Sequence, residues 1–138
     1  LSDETLQKTT LGTLRIGTSL HLEPSLRLGE PLDGHSVSGH VDGLGHVLER
    51  SDGEGLWKFS MPIFISAMTA PKGSITVDGI SLTVVECGLD WFTVSLIPET
   101  LRQTALKDYR LNQQINLEAD PIGRYIAHAL AMRNTLSS

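Results

Sequence analysis

One stretch of this chain occurs twice. Residues 1–11, LSDETLQKTTL, return in altered form as LIPETLRQTAL at 96–106. Sliding the chain over itself by 95 residues places Glu4, Thr5, Leu6, Thr9, Leu11, Arg15, Leu22 and Glu23 on Glu99, Thr100, Leu101, Thr104, Leu106, Arg110, Leu117 and Glu118. Those are eight identities in twenty positions. Chance supplies roughly one or two, and self-similarity at a long fixed offset constrains the fold before any other reading. The similar pairs Ile16/Leu111 and Leu20/Ile115 extend the match. A competing explanation is that two capped helices look alike because Glu and Thr suit first turns. It accounts for the start of the match but not for its continuation through the Leu-Glu pair. The expected organisation is one whole unit preceded by the tail of another: 1–33 as that tail and a linker, 34–120 as the whole unit, and 121–138 as a helix and tail.

With 138 residues there is room for one domain of about a hundred residues plus an extension. A net charge of −5 disfavours nucleic acid or an anionic membrane as partner, because both reward a basic face. It suits a neutral, hydroxyl-rich ligand better than a polyphosphate. The single cysteine, Cys87, ends an apolar run and is expected to be a buried structural thiol rather than a nucleophile. No apolar stretch nears the ~20 residues that span a bilayer. The compartment is left open, cytoplasmic if the chain is bacterial.

After a short opening helix, Ser19–Glu23 alternates like a strand, and Glu30-Pro31 with Asp33-Gly34 punctuates a linker. Six runs then carry β-branched or aromatic residues between turn residues: Val37–Glu49, Leu56–Met61, Ser74–Val77, Ile80–Glu86, Trp91–Ile97 and Gln114–Glu118. Asp78-Gly79 is the strongest hairpin signal, since a type I′ turn needs positive φ at both residues. Six short strands with helices at Pro62–Met68 and Pro98–Thr104 predict an all-β fold, a six-stranded antiparallel Greek-key barrel, because closure removes exposed edges. Asp120 as N-cap and Pro121 as first residue open a C-terminal helix. Its apolar stripe, Ile122, Tyr125, Ile126, Ala129 and Leu130, would either close the barrel's end or pack on another subunit. Polar Asn134–Ser138 is expected to follow the helix.

The densest polar stretch is GHSVSGHVDGLGH at 34–46. His35, His40, Asp42 and His46 invite a metal reading, but the H-x-D pair lacks further ligands at a recognised zinc spacing, so no metal is expected. The other reading is that Gly34, Gly39, Gly43 and Gly45 permit bulges and close approach by a flat ligand, with His40 as a hydrogen-bonding or proton-transfer partner. In PKGSITVDGISLTV, at 71–84, Lys72 lies just before a strand start and so near a barrel mouth, and the run lacks the glycine spacing of a phosphate loop. Ser81 and Thr83 lie two apart and share a strand face, expected to be the inner one, where they would form a satisfied polar core or touch a ligand. Thr100 and Thr104 share a helix face at i, i+4.

Together these stretches resemble the riboflavin synthase family. The family patterns GHxVxGHVDGxGxV, KGSxxVDGxSLTV and LIPxTLxxTxL stand here as GHSVSGHVDGLGHV, KGSITVDGISLTV and LIPETLRQTAL, a likeness running over Gly34–Ala129. Leu1–Leu28 resembles the tail of the family's first barrel. The resemblance implies two lumazine-binding barrels in a full-length chain, and a dismutation with no metal or redox cofactor. In it two molecules of 6,7-dimethyl-8-ribityllumazine give riboflavin and a ribitylamino-pyrimidinedione by transfer of a four-carbon unit. Holding two identical substrates face to face would supply most of the acceleration. It also implies a homotrimer joined by C-terminal helices.

Carried over by this resemblance, Lys72, Ser81 and Thr83 are expected to touch the ring and ribityl chain, and Ile97 and Thr100 the ligand's edge. Asp120 is expected to bind the ribityl chain. His40 would assist proton transfer, with His35 as a second histidine near the ligand, and Lys72 would stabilise negative charge on the pyrimidinedione. Thr5, by the repeat, is the first-barrel counterpart of Thr100. The first-barrel Ser and Cys of the family have no counterpart in the chain, so one of two pockets is expected to be lacking here. The alternative function is a non-catalytic lumazine or flavin carrier; the full set Lys72, Ser81, Thr83, Thr100 and Asp120 favours the enzyme.

Overall fold

The computed structural model describes residues 1–22 and 34–136. Six strands form in the order read from the sequence: β1 Gly43–Glu49, β2 Gly55–Ser60, β3 Ser74–Val77, β4 Ile80–Cys87, β5 Trp91–Leu96 and β6 Gln114–Ala119. Every pairing is antiparallel, and the strands close into a barrel in the order β1-β2-β5-β4-β3-β6. β3, β4 and β5 run as a meander, and β6 returns by a long connection to lie beside β3, which is a Greek key. The hairpin between β3 and β4 turns through Asp78 (φ 45°) and Gly79 (φ 84°), the positive pair a type I′ turn demands.

Alternation fills the interior. Trp57 and Phe59 from β2, Leu82 and Val84 from β4, Phe92 and Val94 from β5 and Ile115 and Leu117 from β6 all point inward and are buried. Phe59 and Phe92 stack with ring centres 5.3 Å apart. Half-buried Cys87 packs against this core. Among the described residues no helix is long and apolar enough to cross a membrane.

Among the described residues four α-helices accompany the barrel: α1 Asp3–Lys8, α2 Ile63–Ser66, α3 Pro98–Gln103 and α4 Pro121–Leu136. α4 continues through Asn134, Thr135 and Leu136, three residues expected to lie beyond it. α1 and α3, 95 residues apart, end alike. Thr9 and Thr104 cap them at φ/ψ of −128°/166° and −122°/165°. The hydroxyls of these two threonines donate to Thr5 O (2.7 Å) and Thr100 O (2.6 Å). Each hydroxyl then accepts from the backbone two residues on, opening a 3-10 turn at Thr10–Thr13 and at Ala105–Asp108.

Two expectations are corrected here. Residues 37–42 are not part of the first strand; β1 begins at Gly43, because the preceding residues cross the outside of the barrel. Ser19–Leu22 is not a strand either, since among the described residues nothing lies alongside to complete a ladder. Instead His21 reaches the barrel, its Nδ1 2.9 Å from Asp78 O and its Nε2 accepting from Ala105 N at 2.8 Å. Glu23 and the expected linker at 30–33 lie outside the described residues.

Candidate functional site

The polar residues singled out from the sequence gather largely on the outer face of β4, β3 and β6. Ser81 and Thr83 point outward, opposite to the expectation, because Leu82 and Val84 claim the interior and neighbouring side chains must alternate. Register then sets two rows. Ser81 pairs with Thr76, and Thr76 with Glu118; one step along, Thr83 pairs with Ser74, and the same register brings Ser74 level with Asp120.

The first row is covered. Thr76 and Glu118 face outward yet are only 2% and 3% exposed, because the segment from His35 to Asp42 lies over them. His35 spans the row, with Nδ1 2.7 Å from Ser81 Oγ and Nε2 3.3 Å from Thr76 Oγ1. The Glu118 carboxylate, an acceptor at both oxygens, receives Ser38 N (2.8 Å), Ser38 Oγ (2.7 Å) and Gly39 N (3.0 Å).

The second row is open: Thr83 is exposed, Ser74 and Asp120 half-buried. Lys72 stands at its edge, exposed, its N–H donating to Val84 O at 2.8 Å and its backbone in the left-handed region at φ 65°. Asp120 Oδ1 caps α4 by accepting from Ile122 N at 2.8 Å, and its second oxygen accepts nothing among the described residues. The row therefore offers two hydroxyls, a carboxylate oxygen and an ammonium to an outside ligand.

His40 is exposed beside this row and lines a cleft of about 420 Å³ with Ser38, Pro121, Arg124 and Tyr125. Asp42, two residues on, is tied down: its carboxylate accepts from Ala119 N at 2.8 Å and holds Arg124 in a fork at 2.5 and 2.8 Å. That hydrogen bonding raises the Arg124 guanidinium still further above its ordinary range. With Asp42 so engaged and His35 turned to Ser81 and Thr76, the histidines of 34–46 and Asp42 do not converge, and no metal-holding group of three or more occurs among the described residues.

Ile97 is 57% exposed at the start of α3, and Thr100 lies half-buried one turn on; no described hydrogen bond joins either side chain to Lys72 or Asp120. Thr5 stands apart from the rows, its hydroxyl 2.8 Å from Ser2 Oγ on α1. A larger cleft of about 780 Å³ lies among Leu48, Glu49, Arg50, Asp52, Arg110 and Leu111, with balanced charges and none of the candidate site residues read from the sequence. Sequence reading missed Ser74, Thr76, Glu118 and Arg124. The first two sit within the KGSITV run it had singled out, whereas nothing local marks Glu118 or Arg124, whose partners lie about eighty residues away.

Residues 38–120 match the model of the lumazine binding domain family. The riboflavin synthase of Mycobacterium bovis is 43% identical over 129 residues, covering 89% of this chain and 64% of that protein. Those of Actinobacillus pleuropneumoniae and Bacillus subtilis are 38% and 35% identical, and the chain covers 60% and 62% of their lengths. It thus spans a little over three-fifths of the relatives it matches. Among solved structures, LumP complexed with riboflavin superposes with a TM-score of 0.74 at 20% identity, over 85% of this chain and 65% of that one. LumP complexed with 6,7-dimethyl-8-(1'-D-ribityl) lumazine gives 0.69 at 21%, over 86% and 64%. At such identity these two speak for the fold alone.

Proposed function

The chain belongs to the lumazine-binding domain family, and we propose on that footing that it binds 6,7-dimethyl-8-ribityllumazine on the open row of its β4-β3-β6 face, as part of a riboflavin synthase. The reaction joins two such molecules. One gives up a four-carbon unit and leaves as the ribitylamino-pyrimidinedione; the other gains it and becomes riboflavin, so nothing external is oxidised or reduced.

The residues have a division of labour under this reading. Thr83 holds the ring from the open row, with Ser81 reaching it from the covered row alongside, Asp120 accepts from ribityl hydroxyls with the oxygen its helix leaves over, and Ile97 and Thr100 close the ligand's edge. Lys72 places a positive charge where the pyrimidinedione gathers negative charge as a methyl proton departs. His40 carries that proton, imidazole being the side chain suited to proton exchange near neutrality. His35 acts through Ser81, whose hydroxyl it already engages. Thr5 serves the companion barrel. The protein assembles as a homotrimer through α4, so that a pocket of one subunit meets a pocket of another and the two ligands react as a preassembled pair.

The observation that carries the reading is the outward row of Thr83, Ser74 and Asp120 with Lys72 at its edge, inside the span matching the family. It is tested by fluorescence titration with 6,7-dimethyl-8-ribityllumazine. Saturable binding is expected, weakened about tenfold, or ~1.4 kcal/mol, in Thr83→Val, which keeps the shape and removes the hydroxyl. Absence of saturable binding by the unaltered chain would refute the site. Binding that never yields riboflavin, even when a complete first barrel is supplied, would make the protein a carrier.

A further inference from the structure

We propose that Glu118 is a positioning residue, whose buried carboxylate fixes the loop over the β3–β6 face and thereby sets where His40 stands against the ligand. The inference rests on the lumazine-binding reading for its functional part only. Glu118 sits on the outward side of β6, where the barrel's own packing asks for no carboxylate. Burying one costs solvation, and it is retained only where donors surround it. Here three donors do so, and all three come from Ser38 and Gly39, the two residues before His40.

The other side of His40 is fixed as well. Asp42 is held by Ala119 N and by the Arg124 fork, so His40 lies between two anchors, each tied to the last strand or the helix that follows it. His40 itself makes no described hydrogen bond and faces the cleft. An exposed side chain on a doubly anchored loop is aimed by its backbone, and the anchor nearest to it is Glu118. A residue that served stability alone would more cheaply be Thr or Val on this outer face.

The test is Glu118→Gln in the full chain. Gln keeps the volume, but its amide group is a donor set against donors at Ser38 and Gly39. The amides of Ser38 and Gly39 are expected to exchange with solvent roughly tenfold faster while those of Ile75 and Val94 hold their rates. The His40 ring signal in the NMR spectrum should shift or broaden. Affinity for 6,7-dimethyl-8-ribityllumazine should fall, and His40→Ala combined with Glu118→Gln should bind no more weakly than His40→Ala alone. Additive losses in that cycle, or an unmoved His40 ring, would overturn the proposal. If the unaltered chain binds no lumazine, the functional reading fails while the ring signal and the exchange rates still decide the role of Glu118. Should Glu118→Gln not fold, Ser38→Ala, which removes one of the three donors, is expected to shift the same signals by less; no shift counts against the proposal.

Discussion

Among the described glycines, Gly45 is where an added methyl group would come closest to its neighbours. A Cβ built there lies 2.2 Å from Ser60 O and 2.9 Å from Leu117 Cδ1, one a backbone atom that cannot yield and the other in the core. Gly45→Ala is expected to destabilise the barrel by about 3 kcal/mol, read as a lower urea midpoint at an unchanged slope. Tyr109 is a second sensitive residue. Burial, and then the Asp78 carboxylate that its hydroxyl donates to at 2.6 Å, push its phenol far above the usual value. A folded pKa above the unfolded ~10 means that stability is complete below pH 10 and declines as pH rises beyond it, where only the unfolded chain readily releases the proton. Urea unfolding between pH 8 and 11 should show that decline, and Tyr109→Phe should flatten it. An equal decline in both proteins would exclude Tyr109 as its source. Tyr109 was not singled out from the sequence, because its partner Asp78 looks like nothing more than a turn residue until the fold brings them together.

At the scale of elements, α4 settles one of the readings left open by the pattern. It rests on the barrel through Gly123, where a Cβ would fall 2.4 Å from Met68 O, and through the Arg124–Asp42 fork. Its apolar stripe therefore faces away: Ile122 is 68% exposed, Tyr125 74% and Leu130 50%. An amphipathic helix with its apolar side to water gains by meeting another apolar surface, and in the proposed homotrimer that surface would be a second copy's α4. Ile126→Glu is expected to lower the mass measured by light scattering while leaving the circular dichroism of the barrel unchanged. A mass equal to that of the unaltered chain would show that α4 does not hold copies together. The periodicity told that a stripe existed; which side of the helix met the barrel depended on a glycine and an arginine that the stripe excludes.

Over the whole molecule, the opening segment and the barrel touch through exchanged residues. Thr10 N donates to Asn116 Oδ1, and Ala105 N donates to His21 Nε2, both at 2.8 Å. Thr10 and Ala105 are 95 residues apart, as are His21 and Asn116. The described residues hold one closed barrel, and the proposed dismutation needs two pockets face to face. The expectation is binding of about one lumazine per chain by this barrel, with riboflavin forming appreciably only when a complete first barrel is added in the same cuvette. Riboflavin from the chain alone at a comparable rate would mean that two of these barrels suffice.

The sequence by itself determined the cores of the six strands, the Asp78-Gly79 hairpin and the cap of α4, because each is written in contacts between near neighbours: alternation, a two-residue turn, a Pro after an Asp. The barrel followed from the number of short strands whose edges needed closing. It also singled out Lys72, Ser81, Thr83 and Asp120 together, through a resemblance that ran without gaps. Only the tertiary structure decided which side of the wall they occupy. Ser81 and Thr83 face out because the core was already filled by Leu82 and Val84, and alternation alone cannot say which set is inside. Nor could it foresee that residues 35–42 would leave the sheet and lie across it, burying Thr76 and Glu118 on a face that should be wet. That covering joins residues about eighty positions apart, and such contacts follow from closure of the barrel, not from any pattern along the chain.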